Sequence, residues 1–101
     1  YALYQSAYTV VAANKADKPA TGKATISGRC CESGDLIQEH VDLPDCEAGD
    51  TLAVLATGAY NYSMASHYNR LPNAAVVMVK DGTSRVVVRR ETYEDLTRCD
   101  I

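Results

Sequence analysis

Two valine-rich runs meet at Asp81-Gly82, and this constrains the chain more than any other stretch. Half of Ala74 to Val79 and half of Arg85 to Arg90 is valine, a β-branched residue that suits a pleated, half-buried surface. Asp-Gly between such runs suits a tight hairpin turn, where both central residues take positive φ. An antiparallel hairpin follows. Upstream, Leu3 to Ala13 holds Tyr, Thr and Val in a strand-like run, and residues 14–19 (NKADKP) form a polar turn. Gly22 to Arg29 predicts a second strand, with Ala24 and Ile26 on one face and Thr25 and Ser27 on the other. Cys30 to Asp35 is a loop or strand end. Leu36 to Leu43 is ambiguous, with weak alternation through Ile37, Val41 and Leu43. Pro44 to Asp50 is acidic and turn-like, and Thr51 to Thr57 is apolar on both faces, which predicts a buried strand. Tyr60 to Asn69 fits a short helix or an ordered loop, closed by Pro72. Thr92 is placed to cap the N–H of Asp95 at the start of a short final helix. The fold class expected is mainly β: a small antiparallel sandwich or barrel-like domain with a short C-terminal helix.

Composition narrows the functional classes. The chain has 101 residues, which suits one small domain, and no repeat or linker divides it. Hydrophobic residues make up 47% and charged residues 23%, which is globular rather than disordered. The net charge is −3 and the basic residues are scattered apart from Arg85, Arg89 and Arg90, so nothing points to nucleic acid. No apolar run approaches bilayer length, and no secretion signal opens the chain, so no membrane role is expected. A chain that starts at Tyr1 inside a half-apolar run reads as a piece of a larger protein. The four cysteines, Cys30, Cys31, Cys46 and Cys99, are expected as free thiols in a reducing cytoplasm. Adjacent cysteines on an extended segment face opposite sides and rarely bridge each other. All seven aromatics are tyrosine. Tyr1, Tyr4 and Tyr8 cluster near the start and Tyr60, Tyr62 and Tyr68 later, which fits a wet cleft, an interface or an exposed core edge.

The densest chemistry lies in residues 29–35 (RCCESGD). A thiol beside two carboxylates, with Gly and Ser loosening the backbone, can form an acid/base station. Neighbouring carboxylates favour a thiol that keeps its proton, and such a thiol can donate it. Arg29 is the only local cation, so a nucleophilic cysteine has less support. The bland reading is a turn with a buried Cys and solvated acids. Metal binding draws little support: Cys30, Cys31, Cys46, Cys99, His40 and His67 show neither C-x-x-C nor H-x-x-x-H spacing, so no metal site is expected and both histidines read as surface or loop residues. Gly58-Ala59-Tyr60 ends a predicted strand and sets a phenol at a sheet rim, where it can hydrogen-bond a phosphate or carboxylate, or simply close the core edge. No glycine-rich phosphate loop is present.

The order of these motifs resembles a known family. Cys31-Glu32-Ser33-Gly34-Asp35, then Gly58-Ala59-Tyr60, Ser63-Met64-Ala65-Ser66 and Tyr68-Asn69, is similar to the diaminopimelate decarboxylases, fold-type III enzymes dependent on pyridoxal 5'-phosphate. Ala2-Leu3-Tyr4, with Ala7 and Tyr8, looks like the lead-in to that family's C-terminal β domain. The closing residues 89–96 (RRETYEDL) fit as well, so the resemblance spans nearly the whole chain. It implies that residues 1–101 are the C-terminal β domain of such an enzyme. The cofactor-binding (β/α)8 barrel, with the lysine that carries pyridoxal phosphate, is absent from this chain. It implies a head-to-tail homodimer whose active sites draw on both subunits, in the cytoplasm, acting on meso-diaminopimelate to give lysine and carbon dioxide.

By the same resemblance, Cys31 is the acid that reprotonates the substrate carbon. Glu32 binds the substrate's distal ammonium, Tyr60 contacts cofactor phosphate and substrate, and Tyr4 helps hold the distal carboxylate. Asp35 forms a salt bridge across the subunit interface. If the register slipped by one, Cys30 would be the acid, but the adjacency of Cys31 and Glu32 argues against that. Two other readings stay open: the same domain of a decarboxylase for another basic amino acid or polyamine precursor, and a non-catalytic interaction module when isolated.

Overall fold

The computed structural model describes residues 4–101. The regular structure of the described residues is mostly antiparallel strand, paired as three two-stranded ladders, with one short α-helix near the C-terminus. The expected mainly β class holds. The sequence pattern did not show that the chain divides into two compact units, Tyr1–Asn61 and Tyr62–Ile101.

The first unit contains four strands: β1 (Val10–Ala12), β2 (Gly22–Ser27), β3 (Leu36–Leu43) and β4 (Leu52–Val54). β1 pairs with β4 through Val10↔Val54, Val11↔Ala53 and Ala12↔Leu52, and the Leu55 N–H extends the pairing by donating to Thr9 O at 2.8 Å. β2 pairs with β3. The core lies between the two ladders: Val10, Ala12, Val41 and Leu43 are buried, with Ile26, Ile37 and Val54 packed against them. Period-two alternation sends Val41 and Leu43 inward and leaves Asp42 outside, where it meets Lys23 at 2.7 Å.

The weak alternation of Leu36–Leu43 has a physical cause. The register runs Ala24↔Val41, then Ile26↔Gln38, then Ser27↔Leu36, so β3 carries an extra residue at two points. His40 sits in the first of these bulges with φ 55°. Each bulge resets which face a side chain takes and strengthens the local twist. Thr51 to Thr57, expected as a buried strand, is strand only over Leu52–Val54. Leu52 and Leu55 are exposed. Ala56, at φ 57°, turns the backbone away before the strand can lengthen. The first predicted strand is likewise shortened to β1, with Gln5 at φ 52° ahead of it. Ala2 and Leu3 lie outside the described residues.

The second unit holds β5 (Val76–Lys80) and β6 (Thr83–Val88), the expected hairpin. Asp81 (φ 50°) and Gly82 (φ 73°) both take the left-handed conformation that the turn requires. The pairs Val77↔Val86 and Val79↔Ser84 put Val77, Val79 and Val86 on one face, all exposed. Met78↔Arg85 and Lys80↔Thr83 make the other face more polar. Residues 60–69, open between helix and loop, form turns followed by a kinked 3-10 segment, Tyr68–Arg70, with Asn69 at φ 58°. The final helix, α1 (Tyr93–Thr97), starts as expected. The Asp95 N–H donates to Thr92 Oγ1, and the Asp95 carboxylate accepts from the Thr92 N–H at 2.7 Å, a reciprocal capping box.

Candidate functional site

The site is built from the loop between β2 and β3. The Gly28 N–H donates to Asp35 O at 2.9 Å and closes the base of the loop. The Asp35 N–H donates to Glu32 O at 3.1 Å and tightens its second half. Asp35 then turns its carboxylate inward, where Oδ2 accepts from the Cys30 N–H at 2.9 Å. A Cβ on Gly28 would overlap that carboxylate, and one on Gly34 would press on Glu32 Oε2. The Asp35 carboxylate is held in place by the Cys30 N–H, so close approach favours glycine at 28, whereas the exposed Glu32 side chain can swing aside from a Cβ at 34. Cys31, Glu32 and Ser33 form the exposed crest, whereas Cys30 is half-buried. Its partial burial, and then the Asp35 carboxylate, push the Cys30 thiol up from its ordinary value; Arg29 opposes this.

The other proposed residues come from β1 and β4. These strands are antiparallel, so the segment before β1 runs beside the segment after β4. Tyr4 lies on the first and Tyr60 on the second, and each is 71% exposed. The Tyr8 phenol donates to Asn61 Oδ1 at 3.5 Å, and Asn61 Nδ2 donates to Thr57 O at 2.8 Å, tying these segments together. The Tyr8 N–H donates to Gln38 Oε1 at 2.9 Å, near the start of β3 and so near the cysteine loop. Through Tyr8, the segment after β4 that holds Tyr60 and the start of β3 that follows the cysteine loop are linked within this unit. Gln38 was not anticipated, because a side-chain amide accepting a remote backbone N–H leaves no local pattern.

His40 is exposed on the β3 bulge, and is in a strand rather than a loop. His67 is exposed in a loop, as expected, and its Nε2 lies 2.6 Å from Glu91 Oε2. Glu91 also accepts from the Asn73 N–H at 2.8 Å, and this bond, ahead of His67, holds its carboxyl below the usual range. The pair lines a concavity of about 310 Å3 in the second unit, together with Arg89 and Asp95. Arg89 and Asp95 are joined at 2.6 Å, so the charges there answer one another. Among the described residues the cysteines form no disulfide, and no group of three or more His, Cys, Asp or Glu is placed to hold a metal ion. No helix among them is long and apolar enough to cross a membrane.

The first unit thus carries an exposed thiol, an exposed carboxylate and exposed phenols, groups whose chemistry is proton donation and hydrogen bonding. Residues 1–58 match the family model described as pyridoxal-dependent decarboxylase, C-terminal sheet domain, and the chain belongs to that family. Its similarity runs further along the sequence. It is 50% identical over 100 residues to the diaminopimelate decarboxylase of Bacillus subtilis, covering 99% of this chain and 23% of that protein. The crystal structure of a diaminopimelate decarboxylase from Helicobacter pylori complexed with L-lysine superposes with a TM-score of 0.84 at 34% identity, over 96% of this chain and 24% of that one. A crystal structure from Aquifex aeolicus gives a TM-score of 0.89 at 31% identity, over 99% and 25%. The chain spans about a quarter of the length of the relatives it matches.

Proposed function

We propose that residues 1–101 are the C-terminal β domain of a diaminopimelate decarboxylase, which converts meso-2,6-diaminopimelate to L-lysine and carbon dioxide. The observation that carries this reading is the 50% identity over 100 residues to an enzyme of that name. The loop geometry supports it by presenting Cys31 and Glu32 on an exposed crest, and Tyr60 of the same unit is exposed as well. The rest of the protein, an N-terminal (β/α)8 barrel with the cofactor lysine, lies outside this chain. The working unit is a head-to-tail homodimer in the cytoplasm, and each site takes this face from the neighbouring subunit.

The donor set fits pyridoxal phosphate as a lid rather than a cradle. Tyr60 offers a phenol to a phosphate oxygen, and Cys31 and Glu32 offer a proton donor and an anion. Bound pyridoxal phosphate supplies the electron sink that makes loss of carbon dioxide feasible. This chain's residues then manage position and protons. Glu32 pairs with the distal ammonium of the substrate, and Tyr4 donates to the distal carboxylate. When carbon dioxide leaves, Cys31 Sγ would give its proton to the substrate carbon in its place, and solvent would restore the thiol. The interface bridge expected of Asp35 is not part of this reading, because its carboxylate is turned inward onto the Cys30 N–H at 2.9 Å. Cys31 is favoured over Cys30 as the donor because Cys31 is exposed and Cys30 is half-buried.

The test is Cys31→Ala in the full-length enzyme. Turnover should fall by about a hundredfold or more, the scale of general acid catalysis, while cofactor absorbance is kept. Wild-type turnover in that variant would refute the assigned role. Relative rates on diaminopimelate, lysine, ornithine and arginine fix the substrate, and a preference for anything but diaminopimelate overturns the reading.

A further inference from the structure

We infer that Gly28 and Asp35 are positioning residues for Cys31, acting as a matched pair in which the glycine leaves the space that the carboxylate fills. The inference rests on the proposed role of Cys31. Residues 28–35 contain no strand or helix, and the crest residues Cys31, Glu32 and Ser33 are exposed, so no core packing sets their direction. The Asp35 carboxylate serves instead. Its Oδ2 takes the Cys30 N–H at 2.9 Å, while the Gly28 N–H is held by Asp35 O at 2.9 Å. One residue therefore ties down the chain two positions apart, immediately before Cys31. Cys30 is drawn into the half-buried side, and its neighbour Cys31 is turned to the exposed side. Any residue larger than glycine at 28 would meet the Asp35 carboxylate and push it off the Cys30 N–H. Because the loop buries so little, loss of this bond should cost the fold little. It would still move a reacting thiol, and a displacement of about 1 Å can cost about a hundredfold in rate.

The experiment uses the full-length holoenzyme with Asp35→Asn, Asp35→Ala and Gly28→Ala. Asparagine keeps an oxygen acceptor at the same reach and loses the charge, whereas alanine loses both. Asp35→Ala should lower kcat by about tenfold or more with KM within about twofold, and Asp35→Asn should restore most of that loss. The rate of Cys31 alkylation by iodoacetamide, read by peptide mass spectrometry, should change at least about threefold in Asp35→Ala while that of exposed Cys46 does not. Unchanged kcat and unchanged Cys31 alkylation in Asp35→Ala would overturn the inference. So would Asp35→Asn as damaging as Asp35→Ala, since the charge at the subunit interface would then be what matters. Gly28→Ala should resemble Asp35→Ala. Should it fail to fold, the double variant Gly28→Ala/Asp35→Ala removes the overlap and should match Asp35→Ala alone. Additive losses in the double variant count against the pair. A wild-type enzyme inactive on diaminopimelate sinks the proposed function, and the alkylation result then decides the positioning role by itself.

Discussion

Asp50 shows how single residues hold this chain where its core is thin. Its carboxylate receives Lys15 Nζ at 2.8 Å, the Glu47 N–H at 2.8 Å and Asn14 Nδ2 at 2.8 Å, and Asn14 Oδ1 in turn accepts the Thr51 N–H at 2.9 Å. One acid thus joins the turn after β1 to the turn before β4. Lys15 first, then the Glu47 N–H and Asn14, hold the Asp50 carboxyl far below the usual carboxylate range. A depressed folded-state pKa contributes stability that is complete above the unfolded value, about 4, and is lost as the pH falls toward the folded one. Asp50→Asn should therefore be less stable than wild type at neutral pH. The gap should close on acidification below about pH 4, in denaturant titrations of the full-length protein. Parallel acid losses in the two proteins would show that Asp50 contributes nothing through its charge.

At the scale of elements, two turns have opposite origins. The β5–β6 turn is local: Asp81 and Gly82 take positive φ because the two-residue hairpin requires it. A Cβ on Gly82 would meet nothing within 4 Å, so the cost of Gly82→Ala is conformational and should be about 1 kcal/mol. Faster hydrogen exchange confined to the β5 and β6 amides would register it, and exchange unchanged there would contradict the turn assignment. The β2–β3 loop is the reverse case. Gly28 has an ordinary backbone, and what it supplies is room for a side chain seven positions later. Inspection of the sequence around Gly28 gives no hint of that demand. The two bulges in β3 are of the same kind, since they depend on which residue of β2 lies opposite.

For the whole molecule, the decisive feature is how little apolar surface is covered. The described core amounts to Val10, Ala12, Val41 and Leu43, all in the first unit. Val79 is 74% exposed and shares a face with Val77 and Val86, and an isolated two-stranded hairpin is marginal in water. Under the proposed function such a face is covered by further chain, since the relatives are about four times longer. Val79→Lys in the full-length enzyme should then cost about 2 kcal/mol, the scale of a buried valine, while Lys80→Ala on the opposite face should stay within about 0.5 kcal/mol. Equal, small effects in denaturant titrations would show the valine face to be solvated. Residues 1–101 purified alone with pyridoxal phosphate should give no decarboxylation of diaminopimelate, because the proposed function puts the cofactor lysine outside these residues. Measurable carbon dioxide release would overturn the division of labour proposed above.

The sequence alone determined the features with short-range causes. The hairpin at Asp81-Gly82, the Thr92–Asp95 cap and the cysteine–glutamate loop each depend on residues within a few positions of one another, so their patterns survive in one dimension. Family membership was legible for the same reason, through ordered motifs. Tertiary structure decided what depends on partners distant in the chain: the division into two units, the bulges that place His40 in a strand, the early end of β4 and the bond from Tyr8 to Gln38. It also changed the reading of Asp35. From its neighbours it was one more acid beside a thiol. In the fold, its carboxylate occupies the space over Gly28, because backbone pairing of β2 with β3 brings those two residues face to face.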